Sequence, residues 1–152
     1  MINSKHFPME KVFFDASVII AAILSPTGGS AKLLNLSKNK TIIAITSQTV
    51  IDEVEAHTDK IHTTPGNIAW YIKNSGMLVR ERITQTEIEK VSAVIDSTDA
   101  HLIVGARGAV CQYLVTLDKK HLLRSDVQKM VAPLQIVNPK DLLGKLAGAN
   151  RK

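Results

Sequence analysis

The chain has 152 residues, of which 45% are apolar and 22% are charged, a composition typical of one soluble globular domain. It carries 19 Lys and Arg residues against 14 Asp and Glu residues, so its net charge is +5, which suits a polyanionic partner without requiring one. A single cysteine excludes a disulfide framework and a cysteine-rich metal site, and an aromatic content of 4% argues against a platform that stacks nucleic-acid bases.

Short β-type segments alternate with longer helical segments, which predicts an α/β fold. Strands are predicted at 11–15, 41–45, 77–79, 113–117 and 135–137. Helices are predicted at 17–24, 30–36, 47–57, 68–74, 86–95, 98–110 and 141–146. Ser30 and Ser47 are expected to cap two of these helices. We expect a single domain over residues 1–152, with 147–152 as a frayed basic tail.

The longest apolar run, residues 17–24, is far shorter than the roughly 20 residues of a membrane-spanning helix. The first ten residues lack the charged, apolar and cleavage regions of a signal peptide. The sequence therefore predicts a cytoplasmic protein with no membrane partner.

Acidic residues stand where apolar elements begin or end. Asp15 ends the first predicted strand and Asp118 directly follows the fourth, so both lie on one edge of the sheet if these strands are parallel neighbours. Asp99 begins a helix, and Glu53 lies inside the helix that follows Ser47. Taken singly, Asp99 is also explained as a helix-dipole acid, Asp118 as a turn residue and Glu53 as a solvated residue. Asp15 precedes an apolar segment, where an unpaired charge is costly.

Four carboxylates that converge without matching cations repel one another and lose hydration. A hard divalent cation removes that conflict, and ligation by oxygen alone suits Mg²⁺ or Mn²⁺. Such an ion binds phosphate oxygens and lowers the pKa of an attacking water. The acids therefore indicate phosphate chemistry, provided that the fold brings them together.

Four sequence blocks occur in one order along most of the chain: FFDASVII at 13–20, SQTVIDEV at 47–54, DAHLIVGA at 99–106 and YLVTLD at 113–118. Together they resemble the PIN-domain ribonucleases, a family that includes the VapC-like toxins of prokaryotic toxin–antitoxin modules. The resemblance implies a PIN-like three-layer α/β/α fold with a central, mainly parallel sheet and an acidic pocket at its carboxyl edge.

The resemblance also implies roles for particular residues. The positions of the family's catalytic and metal-binding acids are taken by Asp15, Glu53, Asp99 and Asp118. Ser17 and Thr116 stand where a hydroxyl often supports the site, whereas Ala16 replaces a frequent hydroxyl residue. The implied chemistry is hydrolysis of RNA phosphodiester bonds with Mg²⁺ or Mn²⁺ as the cofactor.

Residues next to these acids have simpler interpretations. Lys119 and Lys120 follow Asp118 and are candidates to contact substrate phosphates. Asp96 is expected to cap a helix. His101 lies two residues after Asp99, so on a helix it faces away from that acid by about 200° and is expected to pack or to make a surface hydrogen bond.

The leading hypothesis is a metal-dependent endoribonuclease, the toxin of a toxin–antitoxin pair, with RNA as its substrate and an antitoxin and a second copy of the chain as partners. Trp70 and Tyr71 are expected to lie one in the core and one at its edge, or to contribute to such a protein contact. The alternative is a non-catalytic PIN-like RNA-binding or scaffold protein, which the retention of all four acids disfavours. A phosphate-transfer receiver domain is disfavoured because Asp15 stands alone after the first strand.

Overall fold

The computed structural model describes residues 9–91 and 95–150. Within these residues strands and helices alternate, as the sequence pattern predicts. The elements are β1 (Lys11–Phe14), α1 (Ala16–Leu24), α2 (Gly29–Lys38), β2 (Ile43–Ser47), α3 (Gln48–Glu55), α4 (Pro65–Asn74), β3 (Leu78–Arg80), α5 (Gln85–Glu89), α6 (Ser97–Gly108), β4 (Tyr113–Val115), α7 (Ser125–Val131), β5 (Gln135–Val137) and α8 (Pro139–Asn150).

The strands form one parallel sheet in the order β3-β2-β1-β4-β5. The chain builds outward from β1 to β2 and β3, then returns to the other side of β1 to add β4 and β5. The strand order therefore reverses between β1 and β4, and such a reversal opens a crevice at the carboxyl ends of the strands. Residues 12–14 pair in parallel with residues 113–115, so the segments that follow the two strands lie side by side.

Helices cover both faces of this sheet. Val12, Phe13 and Phe14 are consecutive on β1 and all are fully buried, which requires cover on both faces because successive side chains of a strand alternate. Helices α1, α2, α3 and α8 contact one another along the chain α3–α1–α2–α8, whereas α5 packs with α6. The fold is the three-layer α/β/α arrangement that the resemblance implied.

Two helices differ from the sequence pattern. The helix predicted at 86–95 is reduced to α5, which begins at a capping box formed by Thr84 and Glu87; position 94 lies outside the described residues. Helix α7 was not predicted, because its seven residues bury only Val127 and Val131 fully and give too short an apolar period.

Helix ends also differ. The predicted cap at Ser30 is wrong, because the N-cap residue of α2 is Gly28, two positions earlier, and Ser30 lies inside the helix. Ser47 caps α3 as predicted, since its Oγ accepts the backbone N–H of Val50 at 3.1 Å. Helix α8 extends to Asn150 and so includes positions 147–150 of the expected tail, whereas residues 151–152 lie outside the described residues.

Of the two aromatic residues expected one in the core and one at its edge, Tyr71 packs at the edge of the core and neither lies inside it. Ile68 and Ile72 form the buried face of α4, and Trp70 lies about 200° from Ile68 on the helix, so it points outward with 64% of its surface exposed. Tyr71 is only partly buried. Helix α4 therefore presents a large aromatic side chain on the surface.

Among the described residues no single helix is long and apolar enough to cross a membrane; α1 and α2 pass that test only as a pair, and they are bent by 99° at the break between them.

Helix α6 packs against β1 at a glycine. A Cβ atom on Gly105 would lie 2.5 Å from Cζ of Phe13, closer than real side-chain contacts. Phe13 is fully buried, so its ring has no free space into which to move. Glycine at this position lets α6 approach the centre of the sheet.

We expect Gly105→Ala to lower the free energy of unfolding by about 1–3 kcal/mol, because the added methyl overpacks the helix–sheet contact. Urea unfolding should show a smaller cost of the same change in a Phe13→Leu background, where the ring that meets the methyl is gone. An equal cost in the two backgrounds would contradict this account.

Candidate functional site

Asp15 is a buried carboxylate at the end of the central strand. It follows β1 directly and is the N-cap residue of α1, with only 6% of its surface exposed. Two hydroxyl groups donate hydrogen bonds to its Oδ2 atom, Thr116 Oγ1 at 2.6 Å and Ser17 Oγ at 2.9 Å. Among the described residues no side chain donates to the other carboxylate oxygen, Oδ1, and the backbone N–H of Ala16 lies close enough to favour the charged form of the carboxylate.

The same two hydroxyls hold the segment that follows β4. Thr116 Oγ1 accepts the backbone N–H of Asp118 at 3.1 Å, and Ser17 Oγ accepts the backbone N–H of Leu117 at 3.1 Å. Each hydroxyl thus acts as a donor to Asp15 and as an acceptor from the β4 segment. The positions of Asp15 and Asp118 are coupled through these bonds, which the sequence could suggest only by spacing.

Asp99, Asp118 and His121 converge at the same edge. One possible ligand atom from each lies within 4.8 Å of the other two. Asp99 stands in the first turn of α6, and Asp118 and His121 lie in the turn that follows β4. His121 was not among the predicted site residues; its spacing in the sequence DKKH, three residues after Asp118, was the available signal.

Glu53 does not belong to the cluster of Asp99, Asp118 and His121. Its side chain on α3 is 48% exposed, and its Oε1 atom is 3.6 Å from Nε2 of His101 on α6. Its negative charge contributes to raising the pKa of Asp15. His101 is buried, which agrees with its expected packing role, and no described residue bonds its Nδ1 atom.

Burial and neighbouring carboxylates raise the pKa of two of these acids, Asp15 and Asp99. Burial, followed by repulsion from Asp118 and Asp15, raises the pKa of Asp99 to about 6. Burial also raises the pKa of Asp15, although the hydrogen bonds from Thr116 and Ser17 oppose it. Proximity of like charges and loss of water both disfavour the charged form of a carboxylate.

Among the described residues, no Lys or Arg forms an ion pair with these acids; the Arg residues that form ion pairs do so with Asp52, Glu87 and Asp126. The site therefore holds converging oxygen donors and one imidazole with uncompensated negative charge. That donor set fits a divalent cation.

The surroundings of the cluster are open on one side. A cavity of about 230 Å³ adjoins it and is lined by Ile95, Asp96, Asp99, His121, Leu122, Arg124 and Val127. Lys119 and Lys120 are exposed in the turn after Asp118. Asp96 caps α6 as predicted, since its Oδ1 accepts the backbone N–H of Thr98 at 2.9 Å.

Cys111 is not suited to act as a nucleophile. It is buried, and burial raises the pKa of its thiol to about 11. The reactive thiolate is therefore scarce at neutral pH.

A family model described as PIN domain matches residues 11–120. A comparison with curated proteins gives no significant match. Two solved structures are similar in fold. One is VapC20 of Mycobacterium tuberculosis, a toxin that cleaves the sarcin–ricin loop, with a TM-score of 0.52, 16% identity and coverage of 72% of this chain and 91% of that chain. The other is VapBC2 from Rickettsia felis bound to a DNA fragment from its promoter, with a TM-score of 0.56, 17% identity and coverage of 84% and 98%.

We expect Thr116→Val to raise the pKa of Asp15 further, because a hydrogen bond to the charged form is lost, and to lower the free energy of unfolding by about 1–2 kcal/mol. Thr116→Ser keeps the hydroxyl and should leave the pKa of Asp15 close to that of the wild type. Carboxyl titration by nuclear magnetic resonance measures both variants, and a wild-type pKa in Thr116→Val would contradict the assigned bond.

A second prediction concerns pH and stability in metal-free protein. Folding raises the pKa of Asp99 from 3.8 to about 6, so the folded state binds the proton more tightly and stability falls as pH rises from about 4 to about 6. Asp99→Asn removes this loss. Since the side chain is only partly buried, we discount the effect to roughly 1 kcal/mol, or about 2–4 °C in Tm.

Thermal unfolding with excess chelator should therefore show a higher Tm for Asp99→Asn than for the wild type near pH 7.5, and little difference near pH 4. Asp59→Asn, an exposed acid outside the site, serves as the matched control for the removal of one charge. A destabilised Asp99→Asn at the higher pH would contradict the repulsion described above.

Proposed function

The chain belongs to the PIN-domain family, and from that premise we propose that it is a metal-dependent endoribonuclease that hydrolyses RNA phosphodiester bonds. The observation that carries the proposal is the convergence of Asp99, Asp118 and His121 within 4.8 Å, beside the buried Asp15, at the reversal point of a parallel sheet. Acids without compensating cations at such a crevice suit a divalent ion and an anionic substrate.

In this proposal Asp15, Asp99 and Asp118 would hold Mg²⁺ or Mn²⁺, directly or through water, with Glu53 completing the set. When bound, the ion supplies a lowered pKa for the attacking water and stabilisation of negative charge on the phosphoryl oxygens. No covalent intermediate on a side chain is required.

The remaining roles belong to side chains that orient these acids. Thr116 and Ser17 donate to Oδ2 of Asp15 and so fix the orientation of the carboxylate group, including its other oxygen, Oδ1. Glu53, partly exposed, offers a carboxylate oxygen that can accept a proton of the attacking water, and His101 restrains it from the α6 side. Preorganised groups of this kind contribute to catalysis because they need no rearrangement during the reaction.

We assign substrate binding to contacts between lysine side chains and the phosphate backbone of the RNA. Lys119 and Lys120 are exposed directly after Asp118, where they can contact phosphates on either side of the scissile bond. The net charge of +5 attracts a polyanion, and the low aromatic content leaves little surface for base stacking.

We extend the proposal to a cytoplasmic toxin of a toxin–antitoxin pair. It is supported by the family and by the two solved structures with this fold, one named as a toxin and the other as a VapBC2 assembly. An antitoxin and a second copy of the chain are the partners, and the exposed Trp70 is a side chain of the type enriched at such contacts.

The test is cleavage of RNA by the purified full chain with chelator, with Mg²⁺ and with Mn²⁺. We expect cleavage only with a divalent ion and a loss of at least about 100-fold in rate for Asp15→Asn and Asp99→Asn, because each removes a charged ligand. Asp59→Asn should retain the wild-type rate.

Cleavage that persists in chelator, or in both site variants, would overturn the mechanism. RNA binding without metal and without cleavage would instead identify the non-catalytic alternative.

A further inference from the structure

The turn after β4 folds an imidazole back onto Asp118. The backbone N–H of His121 donates to Asp118 Oδ1 at 3.1 Å, and the ring atom Nδ1 lies 3.3 Å from both carboxylate oxygens. The position of the ring is therefore set by the backbone of the turn as well as by the side chain. The side chain is 53% exposed, so the ring can still turn to present either nitrogen to a ligand.

The spacing of the three groups is compatible with shared coordination. Ligands about 2.1 Å from one ion lie about 3 Å apart when adjacent and about 4 Å apart when opposite. The candidate atoms of Asp99, Asp118 and His121 already lie within 4.8 Å of one another, so a small closure brings them onto one ion.

A surface ion pair between His121 and Asp118 explains only part of this arrangement. Asp99 belongs to the same group, comes from a different element and is repelled by Asp118 and Asp15. An ion pair with Asp118 alone does not require His121 to lie beside Asp99 as well. The imidazole also attracts Asp99, and a ligand shared by all three groups would account for their convergence from two elements.

We propose that His121 is a nitrogen ligand of this metal site, together with Asp99 and Asp118, and that it makes the site favour Mn²⁺ over Mg²⁺. This inference rests on the proposed function, because it assigns a further ligand to the same centre. Mg²⁺ prefers oxygen ligands and retains water, whereas first-row transition ions accept imidazole nitrogen, with affinity rising from Mn²⁺ to Co²⁺.

The test is titration calorimetry of the full chain with Mg²⁺, Mn²⁺ and Co²⁺, for the wild type, His121→Asn and His62→Asn. We expect His121→Asn to weaken Mn²⁺ and Co²⁺ binding by about 10-fold or more and Mg²⁺ binding by less than about threefold. His62 is exposed and has a φ of 53°, a conformation that asparagine tolerates, so His62→Asn is the matched control and should bind all three ions like the wild type.

Pulsed paramagnetic resonance of bound Mn²⁺ gives a second readout that does not depend on activity. Nitrogen coupling should be present in the wild type and in His62→Asn and absent in His121→Asn. Since the rings of His101 and His57 also lie near Glu53, loss of the coupling in His121→Asn identifies which ring is bound. His121→Ala provides the same comparison if the Asn variant does not fold.

An equal loss of affinity for all three ions, or nitrogen coupling that survives in His121→Asn, would overturn the assignment. Coupling and ion preference in a protein that cleaves no RNA would support the ligand while defeating the proposed function. Cleavage with Mg²⁺ in a protein that shows no nitrogen coupling would support the proposed function and overturn the assignment of His121 as a ligand.

Discussion

A carboxylate buried at the end of the central strand needs hydrogen-bond donors, and this need joins the parts of the site. Asp15 obtains them from Thr116 and Ser17, whose oxygens in turn accept backbone N–H groups of the segment after β4. Each hydroxyl therefore serves one acid and the backbone that carries another. The arrangement is possible only because β1 and β4 are parallel neighbours in register.

The concentration of negative charge at the site depends on how closely helix α6 packs against the sheet. Gly105 lets α6 lie close against Phe13, and the same helix carries Asp99 in its first turn. Asp99 then shares an edge with Asp118 and Asp15 under partial burial, and its pKa rises accordingly. A protein with net charge +5 thus concentrates negative charge at one crevice, which is a suitable setting for a cation between protein and polyanion.

Much of the fold could be predicted from the sequence because parallel strands and amphipathic helices have distinct apolar periods. The failures are local and have physical causes. Helix α7 is too short to show a period, and α5 ends early. One of the two adjacent aromatic residues of α4 was expected in the core, but Trp70 lies on the outer face because Ile68 and Ile72 already occupy the inner face. The roles of the four acids in catalysis stay a prediction.

The sequence by itself determined that acids stand directly after β1, three residues after β4 and at the start of α6, since those positions follow from where apolar runs stop. It also determined that hydroxyl residues lie two positions from Asp15 and Asp118. Only the tertiary structure decided that His121 joins Asp99 and Asp118 while Glu53 lies beside His101. Those contacts depend on the path of a turn and on the approach of α6 to the sheet, and both are set by packing between segments distant in sequence.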